Sequence, residues 1–120
     1  MLFYQGKIEY YSSAKAIEGI TINLSHDIEH FGILLDALEL RLIQGICIKD
    51  KKNNLSLTIQ LQKETKYVSD TCELQMSLDQ ITLLKKMICD VVIGNSFYGY
   101  HIDFEIPSES GSIDLCMTMS

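Results

Sequence analysis

Apolar and polar residues alternate along most of this chain, and only two stretches change to helical spacing. Ile20, Ile22 and Leu24 alternate with Thr21 and Asn23, the period-2 signature of a half-buried strand. Cys72, Leu74 and Met76 repeat it against Glu73 and Gln75. Each run leads into a serine and, two places on, an aspartate: Ser25 and Asp27, then Ser77 and Asp79. Each is followed by an apolar stripe at helical spacing. The second stripe is the cleaner: Leu78, Ile81, Leu84, Ile88 and Val91 or Val92, with Thr82, Lys85, Lys86 and Asp90 off it. Ser77-Leu-Asp-Gln80 has the form of a capping box, and Gly94-Asn95 is a helix stop.

The first stripe, Ile28, Phe31, Leu35, Leu38 and Leu42, overlaps a strand pattern through Leu38, Leu40, Leu42, Ile46 and Ile48. Leu55, Leu57, Ile59 and Leu61 form a clear strand, and the turn before it, Asp50-Lys-Lys-Asn-Asn54, calls for a neighbouring strand. That context predicts a helix over 26–37, with Ser25 as N-cap and Gly32 working against it, and a hairpin over 38–63. A second hairpin follows. Ile102, Phe104 and Ile106 alternate with His101, Asp103 and Glu105. Pro107–Ser112 reads as a loop, and Ile113, Leu115, Met117 and Met119 alternate with Asp114, Cys116 and Thr118. Near the N-terminus, Lys7–Tyr11 suggests a short strand and Ser13–Gly19 one or two helical turns.

The expected fold is α+β: an antiparallel sheet of five to seven strands packed on one face by two helices. The domain would span 1–120 as a single unit. Strand, helix and hairpin would occur twice within it, in candidate repeat units 20–63 and 72–119.

Charge narrows the function classes. The net charge is −6, which disfavours nucleic-acid binding, because that affinity comes from displacing counterions with a basic surface. The imbalance is concentrated. No Lys or Arg follows Lys86, whereas Asp90, Asp103, Glu105, Glu109 and Asp114 do, and the basic residues gather at Lys49, Lys51, Lys52, Lys63 and Lys66. No apolar run reaches the length of a membrane span, and no signal peptide is recognised at the N-terminus. Cys47, Cys72, Cys89 and Cys116 form no C-x-x-C and read as reduced thiols, each a small buried hydrophobe, in a cytoplasmic protein.

Candidate chemistry is sparse. His26-Asp-Ile-Glu-His30 fits the H-x-x-E-H spacing of inverted zinc proteases over these five residues. On a helix, His26 and His30 would share a face at i and i+4. Glu29 would act as base, and His101, Asp103 or Glu105 would supply a third ligand. The bland alternative is a polar first turn. No nucleophile elbow, P-loop or G-x-G-x-x-G occurs. Gly94–Gly99 is bounded by glycines, but it follows a helix instead of opening one, so it lacks a phosphate-binding N-terminus.

The binding signal is the polar side of the last hairpin. Tyr98, Tyr100, His101, Asp103, Glu105, Glu109 and Asp114 would form an acidic patch flanked by aromatics. The expected function is a non-enzymatic acidic protein, without cofactor or metal. It would occlude a basic protein partner in the manner of an immunity protein or antitoxin neutralising a nuclease-type toxin. Nucleic acid and membrane are not expected partners, and the chain would be a monomer or homodimer. The alternatives are a zinc-dependent hydrolase using His26, Glu29 and His30, and an acidic dimeric chaperone for a secreted protein with Met117 and Met119 at its interface.

Overall fold

Alternation pairs strands, but it does not say with whom, and the pairing is where the molecule departs from expectation. The structure, a computed structural model, describes residues 1–13, 17–24, 27–94, 100–109 and 111–119. These form nine strands and two helices in the order β1 (Leu2–Gln5), β2 (Lys7–Ser12), β3 (Ile17–Asn23), α1 (Ile28–Glu39), β4 (Gly45–Asp50), β5 (Leu55–Leu61), β6 (Lys66–Val68), β7 (Glu73–Met76), α2 (Leu78–Gly94), β8 (Tyr100–Ser108) and β9 (Gly111–Met119). The class is α+β, but the sheet is mixed and has more strands than expected. Its order is β1-β4-β5-β7-β6-β8-β9-β3-β2.

The hairpins β4/β5 and β8/β9 are antiparallel, as are β2/β3 and β6/β7. The parallel pairs β5/β7 and β3/β9 join the two halves of the chain. Each half thus runs through two antiparallel strands, a helix and a hairpin, and the hairpin of one half docks beside the strand that leads into the other half's helix.

The two ends of the sheet, β1 and β2, are successive parts of one segment bent at Gly6. Before the bend, Gln5 is in register with Lys49 of β4; after it, Lys7 is in register with Asn23 of β3. The Gly6 N–H donates to the Lys49 carbonyl at 3.0 Å. A Cβ at Gly6 would stand 3.0 Å from the Asn23 carbonyl oxygen and 3.3 Å from Ile48 Cγ2, so a side chain there would collide with both neighbours. One segment therefore spans both ends of the sheet, which curls back on itself. Asp50 pins this closure. Its buried carboxylate accepts from the Ile8 N–H at 3.0 Å and from the Asn53 amide side chain at 2.8 Å. These bonds hold its pKa below the ordinary carboxylate value.

The inward residues of every strand join the stripes of both helices in one apolar core, including Ile8, Ile22, Phe31, Leu35, Leu38, Ile48, Ile59, Tyr67, Leu84, Ile88 and Met117. Lys85 ties the helices at their outer edge, reaching Asp36 at 2.7 Å and Glu39 at 2.8 Å.

Several expectations are corrected. Residues 38–42 are not strand. Leu38 is a buried helix residue, and Leu40 and Leu42 lie in solvent in the turn that follows. The 3.6-residue period wins at Leu38 because its neighbours Phe31, Leu34 and Leu35 place it on the buried stripe. The N-cap of α1 is Asp27, whose carboxylate accepts the His30 N–H at 3.1 Å; Ser25 lies outside the described residues. Ile17–Gly19 belongs to β3 and not to a helical turn, while residues 14–16 of that expected turn lie outside the described residues. The last hairpin is tighter than expected, with Pro107 inside β8 opposite Ser112. Ser77 does cap α2 by accepting the Gln80 N–H, but the reciprocal half of the box is replaced: the Ser77 N–H donates to Thr65 Oγ1 at 3.0 Å. Met117 and Met119 are core residues, so they do not form an exposed interface. Of the cysteines, Cys47 is buried, Cys72 and Cys116 are half-buried, and Cys89 is exposed.

Candidate partner-binding face

Strand register assembles the outer face of β2, β3, β9 and β8 into rows. Lys7, Asn23, Thr118 and His101 form one; Glu9, Thr21, Cys116 and Asp103 the next; Tyr11, Gly19, Asp114 and Glu105 the third. Successive side chains leave opposite sides of a strand, so these residues share the side facing away from Ile8, Ile22, Met117 and Ile102 in the core.

Of the residues expected at this face, His101, Asp103, Glu105, Glu109 and Asp114 are all exposed, Glu109 in the turn beyond β8. Glu105 stands directly opposite Asp114, and opposed like charges on one face of a sheet repel. Neither makes an ion pair among the described residues. Glu105 instead accepts a hydrogen bond from the Ser112 hydroxyl at 2.8 Å. Asp103 lies 3.3 Å from His101 Nε2, with both side chains more than half exposed. Across the hairpin, the Cys116 thiol is pushed up to about 11, by burial first and then by its hydrogen bond to the Asp103 carboxylate, so it stays protonated.

The aromatic flank differs from expectation. Tyr98 lies outside the described residues, and Tyr100 opens β8. The aromatic that register brings to the carboxylates is Tyr11, in the same row as Asp114 and Glu105. Its ring lies over Gly19, 3.6 Å from where a Cβ would be, and its hydroxyl donates to Glu9 at 3.2 Å. Sequence reading missed Glu9 and Tyr11. The signal was present in the alternation of Lys7-Ile-Glu-Tyr-Tyr11, but nothing in it indicates that β2 reaches the last hairpin through β3.

The histidine motif is described only in part, because His26 lies outside the described residues. α1 begins at Ile28 behind its Asp27 cap. Glu29 and His30 are exposed, and the His30 ring stacks against Tyr4 at 6.4 Å. Among the described residues, no group of three His, Cys, Asp or Glu side chains is placed to hold a metal ion. None of the described helices is long and apolar enough to cross a membrane.

The chain matches no protein-family model, no curated protein and no solved structure.

Proposed function

We propose that this protein binds a basic protein partner through the outer face of β8, β9, β3 and β2, and acts by occluding that partner's cationic surface. The observation that carries this reading is the opposed pair Glu105 and Asp114, with Asp103 in the next row and no cation paired to either member of the pair among the described residues. Folding gains nothing from two carboxylates facing each other across a hairpin. A cationic partner would turn that repulsion into attraction. Such a field speeds capture more than it deepens affinity, which suits an inhibitor that must intercept its target. An immunity protein or antitoxin against a nuclease-type toxin is the concrete form. The toxin's phosphate-binding surface is basic by necessity, and Asp103, Glu105, Asp114 and Glu109 would meet its Lys and Arg side chains, with Tyr11 as the aromatic anchor.

The test is co-expression with the product of the adjacent gene, followed by binding kinetics across a salt series. A basic product should bind. The triple variant D103N/E105Q/D114N should associate about 10-fold or more slowly at low salt, with the difference closing as salt screens the field. An unchanged association rate and salt slope in the triple variant would overturn the reading.

A further inference from the structure

A cleft of about 550 Å³ opens where α1 ends, β5 ends and α2 begins. In sheet order it is separated from the acidic hairpin by β7 and β6. Its charge is opposite to that of the chain. Among the described residues, Arg41 and Lys63 line it and no carboxylate does, in a protein with 16 acidic and 10 basic residues. Gln44 and Gln62 add side-chain amides, and Ile43, Leu61 and Leu78 add apolar surface. Leu78 is 41% exposed, and the two residues flanking Arg41 in the chain, Leu40 and Leu42, are 66% and 74% exposed.

Arg41 is the only arginine of the chain, and its backbone position is costly. It follows the C-cap Leu40 with φ at 59°, the left-handed conformation that favours glycine. The Arg41 N–H donates to Leu38 and the Leu42 N–H donates to Ala37, which is the Schellman pattern of helix termination. Glycine would make this turn with less strain. The guanidinium is thus present where the backbone does not call for a side chain.

We infer that this cleft binds an acidic peptide segment of a partner protein, one in which carboxylates alternate with large apolar side chains. Arg41 offers a planar fork for a carboxylate, and Lys63 offers a second cation. Gln44 and Gln62 can both donate to and accept from peptide groups. A small inorganic anion would leave the apolar lining of Ile43, Leu61 and Leu78 uncovered, whereas a peptide with leucine beside its carboxylates covers it. The volume falls within the range of about 300–1,000 Å³ typical of ligand sites.

The test uses the full chain and a fluorescein-labelled peptide of alternating glutamate and leucine, with a lysine–leucine peptide as the charge-reversed control, read by fluorescence anisotropy. The acidic peptide should bind saturably and the basic one should not. R41G should weaken binding by about 10-fold or more while the melting temperature stays level or rises, because glycine relieves the turn. Absence of saturable binding, equal binding of both peptides, or wild-type binding by R41G overturns the inference. So does concentration-dependent self-association that R41G abolishes, which would assign the cleft to a second copy of the chain.

Discussion

Replacing glycine by alanine should have opposite effects at two places in this protein, and the contrast tests whether one segment spans both ends of the sheet. At Gly6 the new methyl would stand 3.0 Å from the Asn23 carbonyl oxygen, inside van der Waals contact, and 3.3 Å from Ile48 Cγ2. Neither neighbour retreats cheaply. Asn23 is held in register on β3 and Ile48 is fully buried on β4. Overpacking of this kind costs about 1–3 kcal/mol. At Gly32, inside α1, the methyl meets only Ile88 Cγ2 at 3.7 Å, an ordinary contact. Removing a glycine from a helix interior should stabilise by about 0.5–1 kcal/mol. A chain of 120 residues has an unfolding entropy of roughly 0.25 kcal/mol/K, so Gly6→Ala should lower the melting temperature by about 4–12 °C and Gly32→Ala should raise it by about 2–4 °C. Urea unfolding followed by circular dichroism, with unchanged m-values, would place both effects in the native state. A Gly6→Ala variant as stable as the parent would refute the reasoning, because it would mean that β3 and β4 do not converge on that segment.

Asp50→Asn should flatten the acid limb of the stability curve. The folded-state pKa of Asp50 lies below its ordinary 3.8, so its contribution is present above that value and is lost as the pH falls through the folded pKa; denaturant midpoints measured from pH 6 down to about 2 should show the parent losing more than the variant. Glu105→Gln should stabilise the fold by about 0.2–1 kcal/mol by removing the repulsion from Asp114, and a lower urea midpoint would count against the opposed geometry. Burial pushes the phenols of Tyr4 and Tyr67 up to about 12, so their stabilisation is complete below pH 10 and is lost as pH rises through 12; phenolate absorbance from these tyrosines should therefore appear together with alkaline unfolding, whereas ionisation near pH 10 in the folded protein would contradict their burial.

Much of the local structure was legible because it depends on neighbours in the chain. The stripe from Ile81 to Val91, the Ser77 cap, the strands around Leu57 and Ile102, and the outward side of His101, Asp103 and Glu105 all follow from period and capping. The failures fall where two local patterns compete or where a local rule has a distant substitute. Leu38 fitted both periods, and burial against the other helical residues decided between them. Gln80 completed the capping-box motif, yet Thr65, twelve residues before Ser77, takes the bond that Gln80 was expected to make.

What the order of residues dictated was the elements, the face that each strand buries, and a C-terminal hairpin stripped of cations. Pairing was decided only in three dimensions. Every strand edge carries the same N–H and C=O groups, so alternation cannot specify that β3 lies beside β9 or that β2 brings Glu9 and Tyr11 towards Asp114. The choice is made where side chains from distant segments must fill one core and where a backbone bend at Gly6 leaves no room for a Cβ. The hairpin therefore declared its charge in the sequence, but the surface it belongs to, and the cationic cleft elsewhere on the molecule, exist only once the sheet has curled.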